Sequence, residues 1–235
     1  MSVLDSLRAV GITGRICVPT VIDALTGRTS LEECDARLAW WSRELLRRAK
    51  VELTVSGLEN VPPGEALVVM SNHRSYYDIP TVFCAVPGRL RMVAKKELFR
   101  VPLFGTAMSA AGFVKIDRDA RHKAIASLRA SERLLSEGTR VWIAPEGTRS
   151  KTGQLGEFKS GGFHMALEAG VKILPLAITG TETVMPADGV AVYPGGKVNV
   201  LILPAIDASS YGPKGRKALA KDVRAVIARA LGQEP

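Results

Sequence analysis

A chain of 235 residues, 46% apolar and 23% charged, has room for one α/β domain or for a domain with an appendage, and this composition excludes a disordered or low-complexity protein. The formal net charge of +9 points to an anionic partner, while aromatics at only 6%, in no basic-aromatic recognition pattern, argue against nucleic acid. No run reaches about eighteen consecutive apolar residues, so no transmembrane helix is expected, and Asp5 among polar neighbours does not fit a cleaved signal peptide.

Taken in order, residues 3–26 read as a helix interrupted or kinked near Pro19, with Leu4, Leu7, Val10, Val21, Ile22 and Leu25 mostly three or four apart and Gly27 as its stop. Residues 31–49 read as a second helix. Ser30 and Glu33 form a capping box, Glu32 and Glu33 lie in the first turn, and Arg47 and Arg48 lie near the last. Its stripe is Leu31, Cys34, Leu38, Trp41 and Leu45. Two arrangements satisfy this amphipathic pair: it packs on the domain, or it lies in a membrane interface where tryptophan suits the headgroup boundary and basic residues suit anionic lipid.

From residue 51 strand and helix signals alternate. Strands are expected at 51–55, 66–70, 89–95, 112–117, 140–144, 171–178 and 197–206. Helices are expected at 81–86, 119–137, 160–169 and 214–231, and residues 181–196 read as a long loop. Pro175 inside a strand pattern implies an edge or a bulge. This alternation predicts an α/β fold: a mixed, largely parallel sheet flanked by helices, with the N-terminal two-helix element at 1–50 and the catalytic domain at 51–235.

Cys17, Cys34 and Cys84 are odd in number and none is spaced as a metal ligand, as expected of a reduced, intracellular protein. His122 and His164 stand outside any ligand cluster, so no metal site is expected. The chemistry concentrates at strand ends. The apolar run Ala66–Met70 leads into Ser71-Asn72-His73-Arg74-Ser75-Tyr76-Tyr77-Asp78. A histidine at the mouth of a strand with a carboxylate one turn on is a general-base pair, since the carboxylate fixes the tautomer and stabilises the imidazolium. Lys95-Lys96-Glu97-Leu98 followed by Pro102-Leu103-Phe104-Gly105 combines charge for a phosphate with an apolar wall. Ile116-Asp117-Arg118 closes another strand. Ala144-Pro145-Glu146-Gly147-Thr148-Arg149-Ser150 follows a further one: glycine permits close approach, threonine offers a hydroxyl and arginine a bidentate fork for phosphate.

In this order and spacing, with Phe158-Lys159-Ser160-Gly161 and Leu174-Pro175, these segments resemble the glycerolipid acyltransferases typified by 1-acylglycerol-3-phosphate acyltransferase. The resemblance covers roughly residues 45–205, and Ala144 stands where that family often has Phe. It implies acyl transfer from acyl-CoA or acyl-carrier protein to the free hydroxyl of a lysophospholipid, with other acceptors such as glycerol-3-phosphate open, and non-catalytic binding of anionic lipid as the rival class. His73 would be the general base and Asp78 its partner. Lys95, Arg118, Glu146, Gly147, Thr148 and Arg149 would form the phosphate site. No cofactor is implied beyond the thioester donor, and the absence of a Gly-x-Ser-x-Gly elbow fits direct transfer. A peripheral or monotopic place on the cytoplasmic face of a membrane follows from the amphiphilic substrate.

Overall fold

The computed structural model describes residues 3–116 and 133–234. The expected helix at 119–137 therefore lies mostly outside the described residues, although 133–136 are helical, and Arg118 lies outside them altogether. Among the described residues eight strands form one sheet: β1 (Glu52–Ser56), β2 (Leu67–Ser71), β3 (Leu90–Lys95), β4 (Val114–Ile116), β5 (Arg140–Ile143), β6 (Lys172–Thr179), β7 (Lys197–Ile202) and β8 (Ile206–Asp207). The order is β1-β7-β6-β2-β5-β3-β4, with β8 paired to β6. Strands β6, β2, β5, β3 and β4 run parallel, and β7 and β8 run against β6.

The sheet is covered on both faces, which explains why β2 is an unbroken apolar run. Leu67 and Val69 point into one core with Trp142, Leu174 and Ile178, while Val68 and Met70 point into the other with Phe163, Leu219 and Ile227. Helices α1 (Val3–Leu25), α2 (Leu31–Arg48), α3 (Asp78–Ala85) and α4 (Phe104–Ala110) gather on the first side, where α1 packs on α2 and α4, and α2 packs on α3. Helices α5 (Gly161–Ala169) and α7 (Arg216–Ala230) cover the second.

Several expectations change in detail. α1 runs unbroken through Pro19. Of the expected capping box one half forms: Ser30 Oγ accepts from the Glu33 N–H at 3.4 Å, while the Glu33 side chain turns to Arg37. The 181–196 loop opens with a helical turn, α6 (Thr181–Val184). The expected 197–206 strand divides into β7 and β8, and this division accounts for Pro175. β6 is a central strand, but its antiparallel partner changes from β8 at Lys172–Ile173 to β7 at Leu176. Residues 203–205 face only Leu174 and Pro175 there, with Leu203 N–H donating to the Pro175 carbonyl at 2.9 Å. The proline thus occupies a bulge in an interior strand, where no ladder donor is demanded of it.

The N-terminal pair is locked to the rest of the chain by polar contacts. Trp41 Nε1 donates to Thr13 Oγ1 at 3.0 Å, which ties α2 to α1. Asp35 on α2 accepts from Arg89 at 2.8 Å and from Arg91 at 2.5 Å, and Arg91 on β3 is only 1% exposed. Asp35 is part-exposed, but removing it leaves the buried Arg91 guanidinium without its carboxylate. Asp35→Ala is therefore expected to lower stability by about 3 kcal/mol, measured by chemical denaturation.

Candidate active site

Parallel strands present their carboxyl ends along one sheet edge, where open α/β sheets bind ligands. β2 and β5 are neighbours with Met70 opposite Ile143, so the residues that follow them emerge side by side. The two loops are then fastened together. The His73 N–H donates to Glu146 Oε1 at 2.7 Å, and the Ser150 N–H donates to the His73 carbonyl at 2.7 Å. On the other flank, Asn72 pairs with the backbone of Ile178 in both directions, each bond 2.8 Å, which fixes the end of β2 to the end of β6.

Asp78 begins α3 and is fully buried. Its Oδ2 accepts from His73 Nδ1 at 2.7 Å, from the Arg74 N–H at 2.8 Å and from the Ser75 N–H at 2.9 Å. Its Oδ1 accepts from the Thr181 hydroxyl at 2.5 Å. Both backbone donors lie on Oδ2 and cannot reverse their roles, so this oxygen can only accept from the imidazole. A neutral His73 facing that oxygen carries its proton on Nδ1, which makes Nε2 the ring nitrogen with a lone pair. The imidazole also stands edge-on to Trp142, with ring centroids 6.2 Å apart at 89°, and Trp142 Nε1 is itself held by Ser71 Oγ at 3.0 Å.

His73, Lys95, Gly147, Thr148 and Arg149 line one cleft of about 160 Å³, together with Tyr76, Trp142 and Ala144. Gly147 has φ +72°, a conformation that a side chain would strain. Glu146, expected beside the phosphate, takes a different place. It is buried, and its oxygens face backbone donors: Oε1 the His73 N–H, and Oε2 the Gly156 N–H at 2.9 Å. Burial pushes its carboxyl up from the ordinary range, and the Gly156 and His73 amides oppose that shift. A carboxylate would repel a phosphate; here it holds the histidine's backbone. Asp78 likewise sits behind the cleft, and Arg118 lies outside the described residues.

Thr181 and Tyr76 were not singled out as site residues from the sequence. Thr181 follows Gly180, whose φ of +92° and missing Cβ let the chain pass the Lys197 carbonyl on its way off β6. An apolar pocket of about 90 Å³ between the N-terminal helices and the domain shares Ile79 and Met92 with the cleft. Among the described residues no group of three or more His, Cys, Asp or Glu side chains could hold a metal ion, and no helix is long and apolar enough to cross a membrane.

The family model described as Acyltransferase matches residues 52–179. The chain is 34% identical to the 1-acyl-sn-glycerol-3-phosphate acyltransferase of Pseudomonas aeruginosa, over 84% of this chain and 75% of that protein. It is 35% identical to the chloroplastic enzyme LPAT1 of Arabidopsis thaliana, over 67% of this chain but 44% of the plant protein, so it spans less than half the length of that relative. A solved structure, the 1-acyl-sn-glycerophosphate acyltransferase PlsC of Thermotoga maritima, superimposes with a TM-score of 0.79 at 25% identity, covering 97% of this chain and 94% of that one. The family-model match runs from β1 to the end of β6 and takes in the motif residues that follow these strands, and the chain belongs to the acyltransferase family.

Proposed function

We propose that the protein transfers a fatty acyl group from a thioester, acyl-CoA or acyl-carrier protein, to the free hydroxyl of 1-acylglycerol-3-phosphate, forming phosphatidic acid. The observation that carries this reading is the buried Asp78 carboxylate on His73 Nδ1 at 2.7 Å, which turns a free Nε2 into a base at the edge of a basic cleft. The names of the relatives support the acceptor.

In this mechanism the acceptor hydroxyl attacks the thioester carbonyl carbon while its proton passes to His73 Nε2. The tetrahedral intermediate collapses by breaking the carbon–sulfur bond, and the imidazolium returns the proton to the departing thiolate. Asp78 stabilises the transient positive charge; general-base catalysis of this kind contributes about 10²–10⁴-fold. Arg149, the exposed hydroxyl of Thr148 and Lys95 hold the phosphate, and Gly147 allows its close approach. Arg118 is assigned with them from its place in the sequence pattern. Holding the phosphate fixes the hydroxyl beside His73, and such positioning lowers a barrier by several kcal/mol, on the order of the gains seen for oriented reactants. The apolar pocket that meets the cleft at Ile79 and Met92 suits an acyl chain.

The exposed face of α1 carries Leu4, Leu7, Val10, Val18, Ile22 and Leu25. A contiguous apolar stripe beside basic residues fits insertion into one leaflet of an anionic membrane, from which a lipid acceptor reaches the cleft without crossing water.

Wild-type protein given a long-chain acyl-CoA or acyl-carrier protein and 1-acylglycerol-3-phosphate is expected to form phosphatidic acid, read by mass spectrometry. His73→Ala, still folded, is expected to lose at least about 10²-fold in rate; full activity in that variant would reject the base assignment. Thr181→Val removes the donor to Asp78 Oδ1 and is expected to lower kcat about tenfold, with Thr181→Ser restoring it; equal rates for Val and Ser would show that the hydroxyl does not matter. Leu7→Glu with Val10→Glu is expected to abolish flotation with anionic vesicles, and unchanged flotation would place the membrane contact elsewhere.

A further inference from the structure

Tyr76 lies between His73 and Asp78, and unlike Asp78 it is 39% exposed. Its ring is occupied by a cation from the neighbouring loop: the guanidinium carbon of Arg149 lies 3.7 Å from the ring centroid. Among the described residues Arg149 has no carboxylate partner, and its Nη1 is buried without a hydrogen bond. The guanidinium is thus held by its face. An ion pair would occupy the N–H edge of the fork, whereas an aromatic ring supports the flat side and leaves the edge for an anion.

The position of the ring adds a second observation. Tyr76 lines the cleft with His73 and Arg149, and it also lines an open apolar groove of about 560 Å³ walled by Leu7, Val10, Leu103 and Val190. Among the described residues it is the one side chain common to both. A lipid whose apolar part occupies the groove would therefore bring its headgroup past Tyr76 to Arg149. The turn that holds Tyr76 is fixed at the same time by the Ser75 N–H on Asp78 and by Ser75 Oγ on the Met185 carbonyl at 2.7 Å.

We propose that Tyr76 is a positioning residue for the acceptor phosphate: its ring sets the plane of the Arg149 guanidinium and ties that grip to the turn carrying His73. The proposal rests on the reading of Arg149 as a phosphate ligand. A Lys at position 149 has no planar fork and cannot reproduce the arrangement.

Steady-state kinetics with 1-acylglycerol-3-phosphate, taken separately for acceptor and donor, test it. Tyr76→Leu keeps apolar bulk and loses the π face; it is expected to raise the acceptor KM about tenfold, with the donor KM unmoved. Tyr76→Phe keeps the face and is expected to restore the wild-type value. Replacing Tyr76 with pentafluorophenylalanine keeps the ring's outline and reverses its quadrupole, so it is expected to behave like Leu, which settles the question even if the leucine variant folds poorly. Arg149→Ala separates the two claims. If it raises the acceptor KM while neither Tyr76→Leu nor the fluorinated ring does, the ring has no role and the proposal fails. If Arg149→Ala itself leaves that KM unchanged, the phosphate reading fails and takes the proposal with it. A loss confined to kcat in Tyr76→Leu would also overturn the proposal, because it would mean that Tyr76 serves the His73 turn and not the arginine.

Discussion

The site depends on one buried carboxylate. Burying Asp78 as an anion is costly unless every oxygen finds a donor, and four donors meet it: an imidazole, two backbone N–H groups and a hydroxyl. Those donors come from two places in the fold, the turn after β2 and the turn after β6. The carboxylate can be satisfied only if β2 and β6 are adjacent and parallel, which is how the sheet orders them. Satisfying Asp78 also determines the tautomer of His73. The folding requirement and the requirement of the proposed mechanism are therefore met by the same hydrogen bonds.

Around that centre the molecule supplies supports at successive distances. Glu146 accepts from the backbone of His73, Ser150 donates to it, and Asn72 pins the end of β2 to β6. The sidewall is aromatic: Trp142 meets the imidazole edge, and Tyr76 lies under the Arg149 guanidinium. Polar groups that would face a phosphate are grouped at the sheet edge, while the apolar pocket and groove lie toward α1 and α4. The proposed substrate has a polar end and a long apolar end, and the protein is divided along the same line.

Much of this was legible in the sequence because its signals are local. Continuous apolar runs marked the buried strands, and the polar residues directly after them fell on the edge where a parallel sheet binds ligands. The pairing of His73 with Asp78 could be read from spacing, since both lie on one short turn. What escaped is non-local. Thr181 reaches Asp78 across 103 residues, and no pattern around Gly180 announces it. Glu146 belongs to a motif whose neighbours are proposed to bind phosphate, but sequence does not say which way a side chain turns, and this one turns to the backbone. Pro175 signalled a bulge correctly, while the alternative of an edge strand failed because β6 keeps β2 on one side and divides its other side between β7 and β8. Whether α1 and α2 pack or insert was posed as a choice, yet the structure has α2 tied to the core by Asp35 while α1 still presents an apolar face.

The central claim is that Asp78 holds His73 with its proton on Nδ1 and a free lone pair on Nε2. Nitrogen-15 NMR of imidazole-labelled protein at neutral pH, with His73 assigned by comparison with His73→Gln, measures this directly. The account predicts a protonated Nδ1 in a strong hydrogen bond and an unprotonated Nε2, with that pattern lost in Asp78→Asn. A His73 found as the Nε2-protonated tautomer would contradict it, because the base would then have no lone pair facing the acceptor hydroxyl.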